Sequence, residues 1–218
     1  MLKLEHQTLN DRAYGALKQE LISGGFSPGQ TLVIRKLAET FGISTTPIRE
    51  ALQRLVAERL LEMQNNRSII VPLLSEPAFE ELTRIRIAVE GLAGEMAATR
   101  MSESALADIQ AVLAGMQRAI EAQDATTYLS LNEAFHFAIY EHAGAPILLN
   151  MIRDLWGRVG PYFKLLMRAD RYIPQSNDAH HRIVAALERR NGPAVRVSLE
   201  QDIAAAAAVL SENLRTTD

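Results

Sequence analysis

A helix stop and a helix start lie only a few residues apart in the sequence FGISTTPIREALQRL, residues 41–55. Gly42 can end the preceding helix, because glycine readily adopts the left-handed conformation found after helix C-termini. Thr46 can cap the next helix, with Ser44 as the alternative cap, and Pro47 suits its first turn. The stretch therefore predicts two helices joined by a tight turn.

The neighbouring sequence extends this pair to three helices and a hairpin. Apolar residues recur every four positions over residues 9–22, and further helices fit residues 34–41 and 46–59. Alternating apolar residues then flank a polar Gln-Asn-Asn-Arg tip at residues 64–67, which is typical of a two-stranded hairpin. This order predicts a winged helix-turn-helix domain over residues 1–74.

The rest of the chain is helical in pattern. The segment PLLSEP, residues 72–77, carries two prolines and indicates a linker. The later breaks lie near residues 101–102, 123–124, 144–146, 172–174 and 191–193. They leave six helices of about 20 residues each, so we expect a mainly α fold whose second domain, residues 75–218, is an all-α bundle.

Charge and composition narrow the class of protein. The net charge is −3, with 9 basic and 7 acidic residues up to position 74, and 14 basic and 19 acidic residues beyond it. A net charge of +2 for the N-terminal 74 residues and of −5 for the remainder favours two domains with different partners. The absence of cysteine and of any long apolar run predicts a cytoplasmic protein without a membrane partner.

The start of the predicted third helix suits double-stranded DNA. In a helix-turn-helix, the first residues of the second helix of the motif meet base edges in the major groove. Arg49 lies one turn after Thr45, on the side opposite the apolar Ile48, where it can reach a guanine edge or a phosphate. The alternative for each of these residues alone is a merely solvated surface. The predicted DNA-binding residues are Arg35, Ser44, Thr45, Thr46, Arg49, Asn66 and Arg67.

Residues 9–74 also resemble the winged helix-turn-helix of GntR-type bacterial transcription regulators. The resemblance rests on the Ser-Pro-Gly turn at residues 27–29, the LAETFGIS run and the TPIREAL core. The sequence departs from the family at Thr45, where an Arg that contacts DNA is usual, at Arg59 within the usual EGL, and at Ser68 in place of a wing Gly. The resemblance thus implies DNA binding, with an operator that differs from the commonest one.

Residues 77–214 resemble the FCD ligand-binding domain of the FadR branch, and six helices suggest its VanR-type subgroup. Many members hold a divalent metal with an Asp four residues before a His and two further His. In this sequence Asn132 stands at the Asp position, His136 and His180 keep their places, and Asp202 falls at the last His. The resemblance therefore implies a metal set of Asn132, His136, His180 and Asp202.

Two imidazoles, a carboxylate and an amide form a harder ligand set than the family's and are less suited to tight zinc binding. Manganese, nickel or a weakly held zinc fits this set, and a metal-free site is the alternative. A buried His without a metal is most simply a core residue. Arg86 is a further candidate, because a buried Arg must be paired and the family implies a pocket for small organic acids. Its alternative partner is Glu90, four residues later. The predicted effector-binding residues are Arg86, Asn132, His136 and His180.

Together these features predict a homodimeric repressor that binds an inverted-repeat operator and responds to a small organic acid. A metal-dependent enzyme acting on small carboxylates is the alternative from another class, but no nucleophile, HExxH pair or phosphate-binding Gly loop supports it. A helical adaptor with a degenerate DNA domain is the third possibility.

Overall fold

The computed structural model describes residues 8–65, 68–166 and 172–215. The chain divides into two compact units. The first contains Met1–Leu73 and Trp156–Pro161, and the second contains Leu74–Leu155 and Tyr162–Asp218. The described part is mainly helical, as the sequence predicts.

Three helices form most of the first unit. Helix α1 spans Leu9–Ile22, and Thr8 closes a capping box with Asp11 at its start. Helix α2 spans Ile34–Phe41 and ends at Gly42, whose φ of 64° is the left-handed conformation that glycine adopts without strain. Helix α3 spans Thr45–Ala57. The apolar faces of the three helices meet in one core that includes Leu17, Leu21, Ile48, Leu52 and Leu55.

Helix α3 differs at both ends from the predicted 46–59. Ser44 rather than Thr46 is its N-cap residue, and no side-chain hydrogen bond is made by that cap. Pro47 lies in the first turn, where backbone N–H groups have no helical partner, so the helix can begin before it. Beyond Ala57 the chain turns, and Arg59 adopts a positive φ of 58° that ends the helical conformation.

A small antiparallel sheet completes the first unit. The predicted hairpin is present as β2 (Glu62–Gln64) and β3 (Ser68–Ile70), with Met63 opposite Ile69. A third strand, β1 (Thr31–Leu32), pairs with the other edge of β3 and was not predicted. Two residues are too short for an alternating pattern to show in the sequence. The three helices and the wing are those of a winged helix-turn-helix.

Helices alone make up the described residues of the second unit. The longer ones are α4 (Glu76–Arg100), α5 (Glu103–Glu121), α6 (Ala125–Glu141), α7 (Pro146–Val159), α9 (Tyr172–Glu188) and α10 (Gly192–Arg215). Side chains of Ser75, Ser102 and Asp124 accept backbone hydrogen bonds at the starts of α4, α5 and α6.

The fourth predicted helix of this domain is interrupted. Helix α7 ends at Val159, a turn of 3-10 helix covers Gly160–Tyr162, and the short α8 covers Phe163–Leu166. Pro161 explains the break, since its ring clashes with the carbonyl four residues earlier and it lacks an N–H. The sequence-based prediction of one long helix here was wrong, and the helix count that suggested the VanR-type subgroup changes with it.

Helices α4 and α10 pack closely because α4 presents glycines to α10. A Cβ added to Gly94 would lie 2.2 Å from Leu199 Cδ1 and 3.0 Å from Val195 Cγ1. A side chain at this position would require Leu199 to move. Asp202 lies further along α10, and Arg86 and Glu90 of α4 are buried, as Asp202 is.

Across the residues described, no helix has both the length and the apolar character needed to cross a membrane.

Candidate functional sites

The first turn of α3 is an exposed polar surface on a rigid support. Thr45, Thr46 and Arg49 are exposed, and the N-cap residue Ser44 is exposed as well. On the opposite side of the helix, Ile48 and Leu52 are fully buried. The structure therefore presents the predicted α3 residues together at one end of a helix that the core holds in place.

Two cations on or near this surface have no partner among the residues that the structure describes. Arg35, the second residue of α2, and Arg49 are exposed, and neither forms an ion pair or hydrogen bond within the described residues. Both guanidinium groups are therefore available to a negatively charged partner. Asn66 and Arg67, predicted at the tip of the wing, lie outside the described residues.

Arg54, on the same helix as Arg49, does have partners within the structure. Its guanidinium lies 3.7 Å from the centre of the Tyr14 ring, and its Nε lies 3.3 Å from Glu58 Oε1. Tyr14 Oη in turn donates to Glu58 Oε2 at 2.6 Å. Burial would raise the pKa of Glu58, but hydrogen bonds and charges from Tyr14, Lys18 and Arg54 lower it. This cluster links α1 to α3 and was not predicted from the sequence.

A second polar site is buried among α6, α9 and α10. His136, His180 and Asp202 each offer a ligand atom, and these atoms lie within 4.8 Å of one another. His136 Nε2 is 3.3 Å from Asp202 Oδ2, and His180 Nε2 is 3.7 Å from Asp202 Oδ1. The structure thus brings together three of the four predicted metal ligands. Asn132 lies one turn before His136 on α6 and is half-buried.

These three side chains fit a divalent metal ion. Neither ring nitrogen of His180 has a hydrogen-bond partner within the described structure, although the side chain is fully buried. Such buried polar atoms are rare unless an ion or water satisfies them. Two ligand atoms bound tetrahedrally at about 2.1 Å lie about 3.4 Å apart. The distances of 3.3 and 3.7 Å are close to this separation.

The charges within the site are strongly coupled. Burial would raise the pKa of Asp202, but the charge of His180 and a hydrogen bond from His136 hold this pKa well below its ordinary value. Burial lowers the pKa of His180 despite the nearby Asp202. An ionised Asp202 is the form that a metal ion binds.

A chain of buried hydrogen bonds leads from this site to α4. His136 Nδ1 lies 3.1 Å from Tyr140 Oη, and Tyr140 Oη donates to Glu90 Oε2 at 2.7 Å. Arg86 Nε donates to Glu90 Oε1 at 2.7 Å, so the alternative ion pair that the sequence left open for Arg86 is present. Burial raises the pKa of Tyr140 well above its ordinary value, and the charge of Glu90 raises it further.

Tyr140 and Ser176 belong to this site but were not predicted. Ser176 Oγ donates to Asp202 Oδ1 at 3.3 Å. Tyr140 had a signal in the sequence, because it follows His136 by four residues and so leaves α6 on the same face. Ser176 had none, since nothing in its neighbourhood relates it to α10. Three large aromatic residues, Trp156, Tyr162 and Phe163, are buried as core residues would be.

The sequence matches two families. Residues 9–71 match the family described as bacterial regulatory proteins, gntR family, and residues 81–205 match the FCD domain.

Individual proteins agree with these matches. The HTH-type transcriptional regulator McbR of Escherichia coli (strain K12) is 32% identical over 201 residues, which cover 91% of each chain. The HTH-type transcriptional repressor GlaR of the same organism is 28% identical over 187 residues, covering 82% of this chain and 84% of that protein. The solved structure of E. coli McbR/YncC has a TM-score of 0.88 at 31% identity and covers 94% of this chain and 98% of that one. Relatives named as regulators favour regulation over catalysis.

Proposed function

The chain belongs to the GntR family of bacterial regulatory proteins with an FCD domain, and we propose that this transcriptional regulator is a repressor that senses a small organic acid. In this proposal residues 1–74 bind operator DNA and residues 75–218 bind the effector. A homodimer places two copies of α3 on the half-sites of an inverted repeat, because a twofold protein matches a twofold operator.

The observation that carries DNA binding is the pair of exposed guanidinium groups at Arg35 and Arg49, which have no partner among the described residues. Arg49 reads a base edge from the first turn of α3, and Arg35 contacts the flanking phosphates. The hydroxyls of Ser44, Thr45 and Thr46 contact phosphate oxygens, and the methyl groups of the two threonines pack against a thymine methyl. Asn66 and Arg67, predicted at the tip of the wing, follow the DNA strand into the minor groove.

A matched pair of variants on α3 tests this role. Operator fragments selected from a random duplex library provide the probe, and fluorescence anisotropy measures their binding. Arg49→Gln should weaken binding by about 1–3 kcal/mol, the range for a specific Arg–base contact. Arg54→Gln removes the same charge from the same helix but from a group already bound to Glu58 and Tyr14, and should weaken binding much less. Failure of the native chain to select any duplex would favour the adaptor alternative.

The sensing site in this proposal is the buried group of His136, His180 and Asp202, with Asn132 as the fourth ligand. The two imidazoles and the carboxylate would hold zinc, nickel or manganese. A bound ion supplies positive charge that attracts a carboxylate of the effector. Arg86 and Asn132 then provide further polar contacts to the same acid.

Elemental mass spectrometry of the chain purified without chelators tests the metal. We expect one ion per chain, lost in Asp202→Asn and His180→Ala. Asp108→Asn is the control, because it removes the same charge at an exposed position of α5. A native chain that contains no bound metal would refute the proposed metal site.

The effector is tested separately with a panel of small mono- and dicarboxylic acids. An acid that acts as effector should lower operator affinity in the native chain, and a ligand does so only if it binds one state more tightly than the other. Asn132→Ala should reduce this response without changing operator affinity in the absence of the acid. If no acid of the panel alters operator binding, the sensing part of the proposal is wrong.

A further inference from the structure

The hydroxyl of Tyr140 lies within hydrogen-bond distance of two groups, one on each side. Glu90 Oε2 is 2.7 Å away on one side and His136 Nδ1 is 3.1 Å away on the other. A tyrosine hydroxyl carries one proton and keeps it at neutral pH. Glu90, whose carboxylate is held by Arg86 in an ion pair, can only accept. The hydroxyl proton of Tyr140 is therefore committed to Glu90.

This direction sets the proton on His136. Because Tyr140 Oη donates to Glu90, it can only accept from His136, so His136 Nδ1 must carry a proton. Nε2, the atom that lies 3.3 Å from Asp202 Oδ2, then either carries a second proton that hydrogen-bonds to the carboxylate or, in the neutral imidazole, presents its lone pair. A lone pair and a carboxylate oxygen repel each other unless a proton or a metal ion lies between them.

We propose that Tyr140 and Glu90 are positioning residues that preset His136 to bind the metal ion through Nε2. This inference rests on the proposed metal site. Glu90 performs this role because Arg86 holds it on α4, with Nε to Oε1 at 2.7 Å and Nη2 to Oε2 at 3.4 Å. Partners of this kind orient metal-binding histidines and raise metal affinity.

The two histidines of the site differ in this respect. His180 Nδ1 has no hydrogen-bond partner within the described structure, so no neighbouring side chain selects its tautomer. Of the two, only His136 is linked through a hydroxyl to the carboxylate of Glu90 within the described structure. We therefore expect the loss of the Tyr140 hydroxyl to act on the metal bond of His136 and to leave that of His180 in place.

Tyr140→Phe tests the inference because it removes the hydroxyl and keeps the ring. Zinc affinity is measured on the full chain by competition with a chromophoric chelator. We expect the dissociation constant to rise 10- to 100-fold, the usual loss when such a partner is removed. Tyr162→Phe is the matched control, since it removes another buried hydroxyl, which accepts a hydrogen bond from Leu74 N at 2.7 Å outside the site. It should leave zinc affinity unchanged.

A spectroscopic measurement separates positioning from a purely structural role. Long-range 1H–15N correlation spectra of the histidine-labelled, zinc-loaded chain should show His136 protonated at Nδ1 and ligated at Nε2, assigned with His136→Gln. In Tyr140→Phe the Nδ1 proton should lose its protection from exchange with solvent. Equal zinc affinity in the native chain and Tyr140→Phe, or ligation of His136 through Nδ1, would overturn the inference. A native chain that binds no zinc would instead refute the metal site itself.

Discussion

Removing the charge of Arg86 should destabilise the second unit strongly. Glu90 is fully buried and Arg86 is 5% exposed, so their ion pair has almost no contact with solvent. Arg86→Met leaves the carboxylate of Glu90 buried without its ionic partner. Breaking one side of a buried ion pair costs about 3–5 kcal/mol. Urea unfolding followed by far-UV circular dichroism should show this loss.

The double variant Arg86→Met/Glu90→Gln separates charge from packing. It removes both charges, and replacing a whole buried ion pair by neutral groups is often nearly neutral, so most of the lost stability should return. Arg196→Met is the comparison at the same i,i+4 spacing, because the Arg196 pair with Glu200 is 41% and 33% exposed and solvent already screens it. The reasoning is refuted if Arg86→Met costs no more than Arg196→Met, or if the double variant is as unstable as the single one.

Three further predictions concern other parts of the chain. Thr45→Arg restores the residue usual in the family and should shift the sequences selected from a random duplex library; unchanged selection would exclude Thr45 from base reading. The pKa of Glu58 is lowered in the folded state, so its stabilising contribution is present above its unfolded pKa and is lost as the pH falls. Glu58→Gln should therefore flatten the acid side of the stability profile measured by urea unfolding, and an unaltered profile would contradict this. Gly94→Ala should destabilise by about 1–3 kcal/mol because its Cβ would meet Leu199, whereas Gly15→Ala, with open space in α1, should stabilise by about 0.5–1 kcal/mol; thermal unfolding of both variants checks the pair.

Local chemistry made most of the first unit predictable. Gly42 and the apolar spacing of α1 determine helix ends and faces through interactions within a few residues, and the sequence-based bounds of α1 and α2 agree with the structure. The two-residue strand β1 depends on pairing with β3, nearly forty positions away, so no local pattern reveals it. The end of α7 at Val159 was not predicted, although Gly160 and Pro161, which follow it, are both residue types that break helices.

The buried site was likewise only partly predictable from the sequence. The convergence of His136, His180 and Asp202 could be anticipated only through the family resemblance, since three helices contribute the residues. Tyr140 follows from the helical spacing of α6. Glu90 could be placed as a partner of Arg86 one turn away, but its bond to Tyr140 crosses from α4 to α6 and depends on how the helices pack.

The burial of His136, His180 and Asp202 should affect the rate at which an ion is exchanged rather than the affinity with which it is bound. His180 has no exposed surface and Asp202 has 5%, so an ion can enter or leave only when the surrounding helices separate for a moment. Ion exchange should then be limited by the frequency of these openings, which in packed helices is low. In the proposed function, such an ion would be a lasting part of the fold.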